Sequence, residues 1–305
     1  MKVFVTGVAG QLGHDLMNEL AVRGIDAVGS DIAPSYGGVQ DGSAVCRMPY
    51  IPLDVTERDA VRRVIFTEKP DAVIHCAAWT AVDAAEEPKN RDRVYLVNGT
   101  GTRYIAEVCK ELNCKMMYMS TDYVFDGEGD EPWKPDCSHF APLNVYGDSK
   151  LEGERAVSGL VKKFFIVRLS WAFSVHGNNF VKKMLQLSEE YDTLKVVCDQ
   201  IGTPTYTPDL SRLLADMIGT QKYGYYHATN EGGYISWYDF ACEIFRQAGK
   251  KTHVLPISAA EYGLSKTARP CNSRLDKTKL TEYGFARLPD WQDALKRCLQ
   301  GRRSM

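Results

Sequence analysis

No apolar run in this 305-residue chain approaches the roughly 18 residues that a bilayer-spanning helix needs. A surplus of one charge is also lacking. Lys and Arg number 37 against 39 Asp and Glu, for a formal net charge of −2. That balance removes the bulk electrostatic case for nucleic acid or an anionic membrane as partner. The nine cysteines run from Cys46 to Cys298 without one CxxC pair, which argues against a disulfide framework or a zinc ribbon. Reduced thiols in a cytoplasmic protein are the expectation. The start, MKVFVTGVAG, is too short and too rich in glycine for a signal peptide. No internal repeat or low-complexity segment stands out.

What is present is an alternation. Short apolar runs at 2–7, 26–31, 49–56, 71–78, 114–121 and 163–171 read as strands. Amphipathic stretches at 10–24, 58–69, 90–112 and 147–160 read as helices between them. Strand and helix in strict succession imply an α/β fold, a Rossmann-like doubly wound parallel sheet with helices on both faces. After Trp171 the pattern loosens. Helices are expected at 178–190, 207–219 and 236–249, with strands at 195–200 and 224–230. The expected division is a dinucleotide-binding domain over 1–171, completed by parts of 195–230, and a smaller mixed α/β substrate lobe over 172–305. The boundary between them is discontinuous. Residues 34–48 read as a long Gly-rich loop.

The first strand runs into TGVAGQLG, with Gly7, Gly10 and Gly13 three apart, and the first helix follows. A chain that must turn sharply, admit a pyrophosphate against its backbone and aim helix N–H groups at it needs this arrangement. The same turn without a ligand is the plainer alternative. Asp31 ends the second strand, where a carboxylate can hold both ribose hydroxyls of an adenosine and repel a 2′-phosphate. No Arg or Lys follows closely, so the reading leans to NADH over NADPH. A plain turn aspartate is the alternative. Asp54, with Val55 after the third strand, can reach the adenine or can cap the next helix through Thr56.

Tyr146 and Lys150, in NVYGDSK, share a face if the segment is helical. Both side chains ordinarily titrate near pH 10. Spacing alone does not separate a surface pair from a proton-transfer device. With the glycine turn and STDYVF at 120–125, however, the chain resembles the extended short-chain dehydrogenase/reductases. HCAAWTAVDAAE (75–86), STDYVFDGEGDEPW (120–133), PLNVYGDSKLEGE (142–154), RLSWAFSVHGNNF (168–180), DQIGTPT (199–205) and ARPCNSRLD (268–276) together are similar to the dTDP-4-dehydrorhamnose reductases.

The resemblance implies an NAD(P)H-dependent oxidoreductase that reduces the C4 keto group of dTDP-4-dehydro-L-rhamnose to dTDP-L-rhamnose. It makes Tyr146 the proton donor. Lys150 lowers the pKa of that phenol and holds the nicotinamide ribose. Thr121 completes the catalytic set by binding the reacting carbonyl oxygen, with Ser120 left as a competitor from spacing. Gly10, Gln11 and Leu12 line the pyrophosphate turn. Ala78, Trp79, Thr80 and Met119 follow the cofactor track. Asp122 and Trp171 face the sugar, unless they serve as a loop cap and a core residue. Arg269 and Asn272 could clamp the diphosphate. Asn98 supports the active-site backbone. A metal at a subunit interface in some members maps onto Asp15, which shows no clear partners in the sequence, so no metal is expected. A homodimer is allowed. Two other readings stay open: a reductase of another nucleotide-linked 4-keto-6-deoxy sugar, and a non-catalytic subunit of the kind that regulates methionine adenosyltransferase.

Overall fold

The computed structural model describes residues 1–263 and 267–303. Seven strands form one sheet: β1 (Lys2–Thr6), β2 (Asp26–Asp31), β3 (Tyr50–Pro52), β4 (Ala72–His75), β5 (Lys115–Thr121), β6 (Phe164–Leu169) and, from far along the chain, Gly224–His227. The last of these pairs with β6, and the spatial order is 224–227, β6, β5, β4, β1, β2, β3. Every pairing is parallel.

The apolar runs are continuous because both sheet faces are covered. Phe4, Val73, Met116, Tyr118 and Ile166 point to one side, where they meet Val61 and Ile65 of α2 (Arg58–Glu68) and Ile105 and Cys109 of α3 (Thr102–Leu112). Val3, Val5, Ile74, Met117 and Val167 point to the other side. There they meet Leu16, Met17 and Leu20 of α1 (Gln11–Val22) and Leu210, Leu214 and Met217 of the helix Thr207–Ile218. A second apolar core joins Phe173, Val181, Phe240, Ile244 and Leu295 outside the sheet. It packs the helices Phe180–Glu190, Trp237–Ala248 and Trp291–Arg303 beside the parallel pair Thr193–Val197 and His253–Ile257. No described helix is long and apolar enough to cross a membrane.

Several expected bounds shift for local reasons. The strand expected over 49–56 is only Tyr50–Pro52, because Asp54 turns the chain by accepting the Thr56 N–H at 2.9 Å. The helix expected over 90–112 is broken by a π-helical turn, Leu96–Gly101, that swings Asn98 inward. The helix expected at 147 begins earlier, as α4 (Val145–Leu160), because the Asn144 side chain caps it by accepting from Gly147 N at 2.8 Å. Tyr146 therefore stands in its first turn.

Arg168 on β6 and Glu154 on α4 form a two-pronged ion pair at 2.7 and 2.8 Å, each 1% exposed. Arg168 also donates to Pro135 O at 3.0 Å and lies over the rings of Phe125, Phe140 and Tyr225. One pair thus fixes β6, α4 and the segment around Pro135. Glu154→Ala strands the guanidinium without its counter-charge. It is expected to cost ~3–5 kcal/mol in urea unfolding. A loss under ~1 kcal/mol would mean that the pair is not structural.

Candidate active site

The C-terminal ends of β1, β2, β4, β5 and β6 open into a cavity of about 690 Å³. A doubly wound sheet binds ligands at this edge, and the size falls in the usual range for ligand sites. At its floor the turn after β1 crosses close to the loop after β4. Gly7 has φ +74°, and a Cβ there would meet Ala77 N at 2.5 Å. A Cβ on Gly13 would meet Gly7 O at 2.2 Å. Both positions admit only glycine, and the chain is thereby folded tightly enough for a phosphate to reach the start of α1. Gly10, Gln11 and Leu12 line the same wall.

Asp31 lines the cavity at the end of β2, where its two oxygens accept the N–H groups of Ala9 and Ile32 at 3.0 and 2.8 Å. Asp54 and Val55 line the neighbouring wall. Asp54 both caps Thr56 and pairs with Arg93 at 3.1 Å, and these contacts lower its pKa against the effect of burial. Arg93 lines the cavity too, and only the fold brings it there from a distant helix. None of residues 34–48 lines the cavity. That loop folds onto α1, where Asn18 holds Ser43 and Val45 at 3.1 and 2.9 Å.

At the other end Met119, Thr121, Asp122, Tyr146, Lys150 and Trp171 share the wall with Ala78 and Thr80. Tyr146 and Lys150 are one α4 turn apart. The Thr121 hydroxyl shares this wall with the Tyr146 phenol and acts to lower its pKa. It also donates to Asp122 Oδ1 at 2.9 Å. The Ser120 hydroxyl lines the same wall, buried without a hydrogen-bond partner among the described residues. Of the two hydroxyls, the one that acts to lower the Tyr146 phenol is that of Thr121. Asp122 Oδ2 likewise has no partner among the described residues. Burial raises that carboxyl to about 6, while hydrogen bonds from Ser273 and Thr121 restrain it.

The Tyr146 phenol shares the wall with Lys150. Burial pushes it up, the Asp122 charge adds to the rise, and the Thr121 hydroxyl opposes it. Lys150 itself is pushed down to about 7 by burial, against the pull of Glu154. Its ammonium sits 4.1 Å from the centre of the Tyr118 ring. Cys76, on the same wall, is raised to about 12 by burial and stays a thiol.

Three expected site residues lie off the cavity wall. Trp79 turns its indole to Ala81 O at 3.1 Å and packs with Val94 and Tyr95. Its backbone is held in place instead, because Asn98 accepts from Trp79 N at 2.8 Å and donates to Trp79 O and to Ser149 on α4. Arg269 is engaged by Asp83 at 2.8 and 2.9 Å. Asn272 is 1% exposed and spends its amide on Glu128 O and Glu131 O, tying a turn together. Asp15, which looked partnerless in the sequence, accepts from Ser174 at 2.9 Å and from Thr207.

Residues not anticipated from the sequence include Trp237 and Asn178. Trp237 stacks on Trp171 with ring centres 3.8 Å apart and 17° between planes. No spacing rule connects those two, since they meet only across the second core.

A parallel sheet with a dinucleotide-shaped turn and a Thr/Tyr/Lys cluster at its strand ends defines a nicotinamide-dependent oxidoreductase of the Rossmann class. The RmlD substrate binding domain model matches residues 1–304, and the chain belongs to that family. It is 40% identical to a dTDP-4-dehydrorhamnose reductase of Aggregatibacter actinomycetemcomitans, covering 97% of each chain. It is 34% identical to a dTDP-4-keto-6-deoxy-D-glucose reductase of Streptomyces niveus, covering 95% of this chain and 94% of that one. Among solved structures, the dTDP-4-dehydrorhamnose reductase of Bacillus anthracis in complex with NADP superposes with a TM-score of 0.86 at 38% identity. It covers 98% of this chain and 99% of its own.

Burial of Lys150 has a cost whose sign can be read. In the unfolded chain the lysine titrates at its ordinary 10.5, and in the fold at about 7. Below pH ~7 it is charged in both states and the penalty is complete. As pH rises from ~7 towards ~10.5 the unfolded chain holds the extra proton, so stability grows across that window. Lys150→Met is expected to raise the melting temperature by a few degrees at pH 6 and by less at pH 9. Calorimetry at the two pH values checks this, and no gain at pH 6 would refute it.

Proposed function

We propose that this protein is an NAD(P)H-dependent reductase that converts dTDP-4-dehydro-L-rhamnose to dTDP-L-rhamnose, with Tyr146, Lys150 and Thr121 as its catalytic residues. The observation that carries the assignment of roles is that Thr121 at the end of β5 and Tyr146 and Lys150 on α4, one turn apart, line one cavity with the glycine turn. A bound reduced nicotinamide supplies the hydride. The hydroxyls of Thr121 and Tyr146 hold the C4 carbonyl oxygen and set the face of attack. As the C–H bond forms, the C=O electron pair becomes an alkoxide, and the Tyr146 proton moves to that oxygen.

The raised phenol suits this direction. Tyr146 is fully protonated at neutral pH, and an alkoxide, whose conjugate acid resembles water at about 15.7, still outcompetes it for the proton. Lys150 orients the nicotinamide ribose. Asp122 Oδ2 accepts from a sugar hydroxyl, and the Trp171 face packs against sugar C–H groups.

Gly7, Gly10, Gln11, Leu12 and Gly13 hold the pyrophosphate, and Asp31 holds the adenosine ribose. Asp54, Val55, Ala78, Thr80 and Met119 shape the rest of the cofactor track. The binding lobe comprises 1–171 with the returning helix and strand up to His227. The remainder, from 172 on, forms the sugar wall. The site of action is the cytoplasm, and the partner is the dTDP-linked 4-keto sugar. The Streptomyces niveus relative supports one alternative, in which the same residues reduce a different dTDP-linked 4-keto-6-deoxy sugar.

Tyr146→Phe is expected to lower kcat by ~10²–10⁴-fold, the usual worth of a positioned proton donor, while cofactor binding by fluorescence titration is unchanged. Retained turnover would remove Tyr146 from its role. If both activities fail in the unmodified protein with either sugar, the reductase reading itself falls.

NADH is the expected preferred cofactor, because the Asp31 carboxylate lines the cavity at the end of β2 and no cation from 34–48 lines it. Asp31→Asn is expected to shift the NADPH-to-NADH ratio of kcat/KM towards NADPH by about tenfold, about 1.4 kcal/mol. Initial rates with the two cofactors decide it, and an unchanged ratio would exclude Asp31 as the discriminating group.

A further inference from the structure

Outside the active site, three side chains from distant parts of the chain converge on one point: His14 of α1, Asp41 of the 34–48 loop and His176 of the loop after Phe173. Their donor atoms all lie within 4.8 Å of one another. His14 Nε2 is 3.3 Å from Asp41 Oδ2, and His176 Nε2 is 3.5 Å from the same oxygen. The two imidazole rings stand 4.2 Å apart at 52°.

We propose that His14, Asp41 and His176 form a zinc site. Zinc bonds imidazole nitrogen and carboxylate oxygen at about 2.0–2.2 Å in tetrahedral geometry. Such a tetrahedron separates its donors by about 3.3–3.5 Å, the spacing found for the two nitrogen–oxygen pairs. Two imidazoles and one carboxylate leave a fourth position for water. The donor set of nitrogen with one oxygen suits zinc better than magnesium or calcium, which take oxygen ligands.

Two further observations point to an ion and not merely to a crowded surface. His14 is 2% exposed, and its Nε2 is buried with no hydrogen-bond partner among the described residues, aimed at the other two ligands. The remaining atoms of the ligands are held from behind. The Tyr36 hydroxyl lies 2.7 Å from His14 Nδ1, which fixes the ring with Nε2 inward. Asp41 Oδ1 accepts the Ser43 N–H at 2.9 Å, which leaves Oδ2 for the centre. Outer contacts of this kind orient metal ligands and tune their basicity.

The site would clamp three segments that border the cofactor cavity. His14 stands one turn after Gln11 on α1. Gln11 is joined to the His176 loop by Asn179 Nδ2 at 2.8 Å and through its own amide to Asn178 O at 3.3 Å. Gln11 and Asn178 both line the cavity. An ion at this point stiffens that wall and takes no part in the hydride step. This revises the expectation of no metal, and it is independent of Asp15, whose carboxylate is occupied by Ser174 and Thr207.

The test uses tag-free full-length protein dialysed against zinc chloride and then against metal-free buffer, with metal counted by mass spectrometry. The wild type is expected to keep about one zinc per chain. Asp41→Asn and His176→Gln, two loop positions, are expected to keep none while retaining the circular dichroism spectrum. Tyr36→Phe is expected to bind, with affinity reduced about 10- to 100-fold. Cobalt substitution should give the visible bands of a tetrahedral ion in the wild type and not in Asp41→Asn or His176→Gln. Wild-type zinc no higher than in Asp41→Asn and His176→Gln would overturn the site, leaving a metal-free His–Asp contact.

Discussion

A lysine ammonium held in a nearly dry wedge at the edge of the sheet is the constraint around which this molecule is arranged. Lys150 is 3% exposed and rests on the face of Tyr118. Nothing about burying a charge is favourable in itself. It persists because Glu154, one turn further along α4, offsets part of the penalty. Glu154 can do so only because Arg168 holds it in place. Arg168 in turn is wedged among Phe125, Phe140 and Tyr225. Lys150 is thus the inner end of a line of charges whose outer end is a packed aromatic cluster. Weakening any link should be felt at the next, since buried charges leave no water to absorb a mismatch.

The same line explains why the site sits where it does. α4 must lie flat against β5 and β6 for Tyr146 to meet Thr121. Gly153 makes that approach possible, because a Cβ there would strike the Tyr118 hydroxyl at 2.2 Å and Asn98 O at 2.7 Å. Asn98 completes the arrangement from the opposite side, linking the backbone of Trp79 to Ser149 of α4. Its π-helical turn spends one extra residue to aim the side chain inward, a common use of such turns. A residue that touches no ligand therefore sets the distance between two walls of the cavity.

Most of the sheet was legible in the sequence, because strands covered on both faces show as unbroken apolar runs, and the glycine turn and the Tyr–Lys spacing are local patterns. What failed to show depends on partners far along the chain. Arg269 looked like a phosphate clamp, and only the fold reveals Asp83 against it. Asn272 looked equally suited, yet its amide closes a turn at 128–131. Trp79 follows the cofactor strand in sequence, but its side chain turns aside into a small cluster. The zinc ligands were invisible because nothing in spacing joins residues 14, 41 and 176.

The junction between the sheet and the second core carries the clearest local strain. Trp171 adopts φ 51°, a left-handed conformation that costs an ordinary residue about 1–2 kcal/mol. It is held by Thr205 N donating to its carbonyl at 3.2 Å, by Trp237 stacked on its ring, and by the open face of Gly202 behind it. These contacts come from two segments beside the second core, residues 202–205 and the helix Trp237–Ala248. The indole is therefore set by the folding of that lobe and not by β6, which carries it. The aromatic wall that shares the cavity with Tyr146 and Thr121 can consequently be reshaped by changes around Trp237 or Gly202 without disturbing α4. The sheet carries Thr121 and α4 carries Tyr146, while the indole on the same wall answers to the packing of the second core.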